Sequence, residues 1–436
     1  MPASMSIVKR ILFWFFAISV ALPSFGASLM RDADIENAFS ELAKSILQAA
    51  GLSPAGVKIM LIDDMRQNAF VIDNKHIFIT TGLALSTRTP EMFQSIIAHE
   101  AAHIAYGHIS RRGQNKFNAR SVAAFGIALG VMTGAFSNNA ELGTSLALGA
   151  SSSAKRAFLA HTRAEESAAD QAAMSYMAQS RIDAKGMVDV LDILIGQENL
   201  SFGRQDPYTR SHPLSRDRRR VVEGWVAAQP KPKQNKTALY WHDRAVGKLS
   251  AFVRNPDWTL KNAQFSTYKD VEHLRRGVAL SLQGKLEAAI REISKAQNLR
   301  PNDAYIQDLK AELYMRNKKF KLASLEYHKA SELAGKNALI LAGYGRALLA
   351  SKQTEKALSI LKQSRQTDYR NPRMLRDLAV AYSKIGQNGM ASLITAERFA
   401  LQGKTKDAKI HARRALEILP RGSPGWQSAE DMLETK

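Results

Sequence analysis

Four positions in the last third of the chain recur at a single period of 34 residues, and a period of that length leaves few architectures open. One small residue recurs as Gly277, Ala311 and Gly345, and a second as Ala289, Ala323 and Ala357. A bulky residue recurs as Ile293, Tyr327 and Leu361, and a third small one as Ala296, Ala330 and Ser364. A unit this short cannot bury its apolar face alone, so units must stack into a solenoid of helical hairpins. The small residues let the two helices of a unit approach closely, and the bulky ones are expected to fill the space between units. Leu299-Arg300-Pro301 closes the first unit, and Ala379 keeps the period. The set Ala396, Ala408, Ala415 and Pro420 is offset by half a repeat, which predicts that the helix from about Gly389 to Leu401 is shared by adjoining units. A helical stretch around Trp241, from about Thr237 to Arg254, is expected to cap the array.

The chemistry lies upstream, in Ile97-Ala98-His99-Glu100-Ala101-Ala102-His103-Ile104. Residues four apart share one face of a helix, so His99 and His103 would aim two imidazoles at one point. Glu100 sits beside that point and can polarise a water there. Thr89-Pro90-Glu91 reads as a helix start, with a capping residue, Pro in the first turn and an early acid. The helix is expected from Glu91 to about His108.

Zinc needs a third protein ligand, and a chain without Cys excludes a closed Cys-rich structural site. The best donor lies in Ala164-Glu165-Glu166-Ser167-Ala168-Ala169-Asp170, within an Ala-rich stretch from 154 to 180 that lacks Gly and Pro and is expected to be helical. Glu166 and Asp170 share a face. Glu166 can ligate the metal, and Asp170 can accept a hydrogen bond from the far nitrogen of a ligating His. A ligand six residues past His103 would be Ile109, while His108 is one residue short and about 140° round the helix from His103. His108 is therefore read as a C-terminal capping histidine.

The segment from about Asn68 to Arg218 resembles the HtpX-like zinc metallopeptidases, a gluzincin group. The matching pieces are Asn68-Ala69-Phe70, His76-Ile77-Phe78-Ile79-Thr80-Thr81-Gly82-Leu83, the His99–His103 motif, Glu166-Ser167-Ala168-Ala169-Asp170, and His212-Pro213. The resemblance implies that His99, His103 and Glu166 hold one zinc ion per chain, with Glu100 as general base. It also implies that His212 approaches the active site, where it steadies the oxyanion or blocks the metal. Arg218 falls in a charge run (Arg216 to Arg220) and reads most simply as solvated, although it could orient acidic groups near the site. Ala69–Ile72 and His76–Thr81 read as two strands joined at Asp73-Asn74-Lys75, one of which could offer an edge to an extended substrate. The 34-residue units resemble tetratricopeptide repeats. Peptidase plus repeats resembles the BepA-type periplasmic metalloprotease–chaperones, which implies unfolded or misassembled outer-membrane clients and contact with the barrel-assembly machinery.

Residues 1–28 read as a secretory signal, with Lys9-Arg10, an apolar stretch from Ile11 to Leu22 and small residues at the cleavage region. This places the protein in the periplasm. The formal net charge of +21 favours acidic surfaces or acidic proteins, and peripheral membrane contact is possible. A nucleic-acid partner is not expected in an exported chain without a nucleic-acid motif. Apolar residues 121–150 form an expected helical insertion. The expected organisation is thus mainly α (α+β). A signal peptide (1–28) precedes a zincin-type metallopeptidase domain with a small β-sheet (29–228). A linker (229–236) then leads to an α-solenoid of tetratricopeptide repeats (237–436). The activity expected is zinc endopeptidase with chaperone or assembly function, and the competing reading is a non-proteolytic scaffold with a latent metal site.

Overall fold

The structure, a computed structural model, describes residues 28–108, 152–195 and 216–434. The expected signal peptide (1–28) except Ser28, the expected 121–150 insertion and His212 lie outside the described residues. The protein is mainly α with one small sheet, and its described residues fall into two compact units. The first comprises Leu42–Asn235 with the residues up to Met30, and the second Lys236–Lys436 with Arg31–Glu41. The sequence reading grouped Arg31–Glu41 with residues 29–228, whereas by contact this stretch clusters with the repeats.

In the first unit, strands β1 (Ser28–Met30), β2 (Lys58–Asp63), β3 (Ala69–Val71) and β4 (His76–Thr80) form a sheet of order β1-β2-β4-β3. β2 runs parallel to β4, and β3 pairs antiparallel with β4 in the register Phe70 to Phe78. Asp73 fixes the turn between β3 and β4 by accepting from the backbone N–H groups of Lys75 and His76, each at 2.8 Å. β3 lies at one edge of the described sheet. β2 was not foreseen: its Ile59–Ile62 are all buried, so it lacks the alternation that marks a half-exposed strand.

Helix α1 (Ala33–Ala49) begins in the second unit, and its residues from Leu42 onward belong to the first. Short α2 (Thr81–Ser86) follows β4 directly, and Thr80 caps it. Helix α3 (Pro90–Ala105) is capped by Thr89 and carries Pro at its start, as expected. Helix α3 is buried almost throughout, because β3 and β4, the long α4 (Ser152–Gln179) and α5 (Lys185–Leu194) all pack on it. A Cβ on Gly186 would overlap the backbone of Glu91, so α5 crosses the start of α3 at a separation only glycine permits. Gln94 donates to the carbonyl of Leu42 at 3.0 Å. Helix α6 (Arg216–Ala228) packs on α4 and α5.

The second unit carries α7 (Lys236–Val253), α8 (Pro256–Asn262) and then the repeats. These pair α9 (Lys269–Leu282) with α10 (Leu286–Leu299), α11 (Ala304–Arg316) with α12 (Phe320–Ala334), and α13 (Ala338–Ala350) with α14 (Thr354–Thr367). Helices α15 (Pro372–Lys384), α16 (Asn388–Leu401), α17 (Thr405–Ile418) and α18 (Pro424–Glu434) complete it. The turn inside each hairpin has one left-handed residue, at Gly284, Lys318, Lys352 and Gly386, again 34 apart. The next falls at Gly403, half a repeat on, and α16 packs against both α15 and α17, as the offset predicts. The packing rule needs one addition. Ile293 and Leu361 also sit over Gly277 and Gly345 of their own hairpins, where only a missing Cβ leaves them room, while sharing core clusters with Leu309 and Leu375 of the units that follow. Tyr327 reaches the next unit at Gly343.

Candidate metal centre

Helix α3 brings His99, Glu100 and His103 to the packed interior, where helical spacing sets the two imidazoles on one face. Their Nε2 atoms lie 3.1 Å apart. Helix α4 supplies Glu166, whose Oε2 is 3.2 Å from His99 Nε2 and whose Oε1 is 3.5 Å from His103 Nε2. All three residues are buried and offer ligand atoms within 4.8 Å of one another. Four ligands at the usual zinc–nitrogen and zinc–oxygen distances stand about 3.3 Å apart by tetrahedral geometry. The observed separations bracket that value, so these residues fit a tetrahedral cation with one position left for water. Glu100 is fully buried one residue on from His99.

Asp170 lies one turn on from Glu166. Its Oδ1 is 3.0 Å from His99 Nδ1, the far nitrogen, where a carboxylate fixes the tautomer and ring orientation of a ligating His. Burial disfavours a charged His99, but Asp170 and Glu166 outweigh it and raise its pKa to about 10. Burial likewise opposes charge on Asp170, and His99 and Arg218 hold its carboxyl below the usual range.

Two residues differ from their sequence reading. Arg218, on α6, is buried rather than solvated. Its Nε and Nη2 donate to Asp170 at 2.6 and 2.8 Å, and its Nη1 stands 3.3 Å from Glu166 Oε2. The run of Arg residues hid it, since only the residue facing α4 is drawn inward. His108 is not a helix cap. The helix stops at Ala105, and Gly107, at φ +63°, turns the chain so that the expected 140° offset no longer applies. His108 is buried with its Nδ1 2.8 Å from His103 Nδ1. The Gly two residues past the helix end was the readable signal for that reversal.

A helix-borne His-Glu-x-x-His pair joined by an acid from the next helix defines a metallopeptidase. Residues 30–226 match the model of Peptidase family M48, so this part of the chain is similar to the M48 peptidases. It is similar to Metalloprotease LoiP of Escherichia coli (strain K12), 26% identical over 203 residues that cover 45% of this chain and 75% of that protein. It is also similar to a candidate beta-barrel assembly-enhancing protease of Vibrio cholerae, 22% identical, covering 44% of this chain and 39% of that protein. The mitochondrial metalloendopeptidase OMA1 of Schizosaccharomyces pombe is 26% identical, covering 43% of this chain and 52% of that protein. The chain thus spans well under two thirds of the last two relatives. Among solved structures, MamA from Desulfovibrio magneticus RS-1 is 17% identical, with a TM-score of 0.33, covering 37% of this chain and 94% of that one. Among the described residues no helix is long and apolar enough to cross a membrane.

Proposed function

We propose that this protein is a zinc-dependent endopeptidase of the periplasm that cleaves unfolded or stalled outer-membrane proteins and assists their assembly through its repeat unit. The observation that carries the catalytic part is the convergence of His99, His103 and Glu166 beside buried Glu100. Zinc held by these three residues would polarise a substrate carbonyl and lower the pKa of a water in its open position. Glu100, beside that position, would hold a proton as general base and hand it to the leaving amine. Asp170 and Arg218 hold His99 and Glu166 in register throughout. β3, at an edge of the described sheet and packed beside α3, would receive an extended peptide as an added strand. Such main-chain recognition asks little of sequence and suits unfolded β-rich clients. On the resemblance alone, His212 is assigned to the active site, where it steadies the oxyanion or blocks the metal.

The outer-membrane part of this reading draws on the name of the beta-barrel assembly-enhancing relative, and the periplasmic part on the signal-like start of the chain. The repeat unit, a binding architecture rather than a catalytic one, is assigned client and barrel-assembly contacts. The test is metal content of purified protein together with cleavage of an unfolded β-barrel protein. Wild type should carry about one zinc per chain by the ligand count, His103→Ala should lose it, and Glu100→Gln should keep it while cleaving ~10²–10⁴-fold more slowly. Equal cleavage by Glu100→Gln would sink the enzyme reading.

A further inference from the structure

The repeat unit holds a second cluster of buried charge, built around residues that sequence places over two hundred positions apart. Arg31–Glu36, at the start of α1, lie along the edge of the array where each second helix gives way to the next first helix. Ala33 packs with Ala304, Ala330 and Ile340, drawn from three successive helices. Asp34 Oδ1 accepts from Arg244 Nε at 2.6 Å, and its Oδ2 is 3.4 Å from Lys248 Nζ. Asp32 Oδ1 accepts from Lys248 Nζ at 2.9 Å while also capping α1 through the N–H groups of Asp34 and Ile35. Arg31 pairs with Asp368 at 2.8 Å, just past α14. Arg244 and Lys248 are almost wholly buried.

Apolar residues at these places would give comparable stability, so buried ion pairs here act chiefly on register and selectivity. They read two acids at the first turn of a helix, with buried Ala33 between them. The cations are also not stranded when that helix leaves. Arg244 keeps its two bonds to Asp303, at 2.6 and 3.0 Å, and Lys248 still faces Asp308. Burial pushes the Asp308 carboxyl well above the usual range; Lys248 opposes this, while Asp32, Glu312 and Asp34 add to it.

We propose that Arg31–Glu36 is a tethered ligand of the repeat unit, occupying a docking site that accepts, in exchange, the acidic helix start of a partner protein. This deepens the reading of the repeat unit as a binding surface and is independent of peptidase chemistry. The probe is a labelled peptide of residues 31–49 added to the full chain. It should bind the Asp32→Asn/Asp34→Asn protein, whose own segment is weakened and whose socket is intact, about tenfold more tightly than wild type. Adding Lys248→Met should abolish that binding, and so should the two Asn changes in the peptide. Equal binding to wild type and double variant, or indifference to the acids in the peptide, overturns the proposal. Should the variants fail to fold, hydrogen exchange on wild type decides. Amides of residues 35–41 should exchange through a local opening, faster with excess peptide, while α11 and α13 stay protected. Protection of 35–41 equal to that of α11 refutes exchange. Cleavage by the peptidase unit enters none of these readouts, so its failure would be seen separately.

Discussion

The two units bury charge in opposite ways. In the peptidase unit, His99, His103 and Glu166 bring one ligand atom each within 4.8 Å of one another, a group that could hold a metal ion. In the repeat unit, Arg244, Lys248, Asp34 and Asp303 face donor to acceptor and settle their charge among themselves. The first is a site, the second a clasp. Arg218 with Asp170 shows both at once, a clasp that holds a site. Burial of charge alone therefore identifies neither; the pairing of donors with acceptors does.

Breaking a clasp should cost stability, and breaking a site should cost affinity. Arg244→Ala strands Asp34 and Asp303, and should destabilise the repeat unit by about 3–5 kcal/mol in denaturant unfolding while metal content holds. Asp170→Asn should weaken zinc binding by about 10–100-fold in competition with a chelator, because the His99 ring loses its fixed orientation. If it lowered stability and left zinc affinity unchanged, Asp170 would belong with the clasps. Gly345→Ala tests the repeat packing apart from charge. Its Cβ would fall about a bond length too close to Leu361, at 2.5 Å from Cγ, and overpacking of this kind costs about 1–3 kcal/mol.

The smallest effect is in pH. Burial opposes charge on Asp34, but Arg244 and Lys248 together hold its carboxyl below the usual range. A carboxyl depressed in the folded state contributes stability that is present above its unfolded value, about 3.9, and is lost as pH falls through the lower folded value. Acid unfolding of wild type should thus show a limb below about pH 4 that Asp34→Asn flattens. An unchanged acid limb would mean that Asp34 is not charged in the clasp.

Helical projection made the candidate metal centre legible. His99 and His103, then Glu166 and Asp170, are pairs four apart on helices whose caps and Ala content could be read, and a ligand set needs little more. His108 was misplaced because a helix angle was carried past Gly107, where the backbone reverses. Arg218 was undervalued because its neighbours have the same charge and only tertiary packing picks one of them. The repeats were legible wherever packing demands a small residue. The left-handed turn positions were not, since Lys318 and Lys352 serve where Gly284 and Gly386 would be recognised. The place of Arg31–Glu41 could not be read at all: its partners are remote in sequence, and nothing local marks an acidic helix start as docked. Of the linker expected at residues 229–236, residues 229–235 are irregular and Lys236 begins α7.

Helix α16 is the second member of one hairpin and the first of the next. A ladder built strictly from pairs can change length only by whole pairs. Once a single rung serves two neighbours, the ladder gains or loses one helix at a time, and the face at its end alternates in character with each step. The terminal surface after α18 is therefore set by parity, so that a truncation before α17 and one before α18 would present chemically different ends to whatever stacks there next.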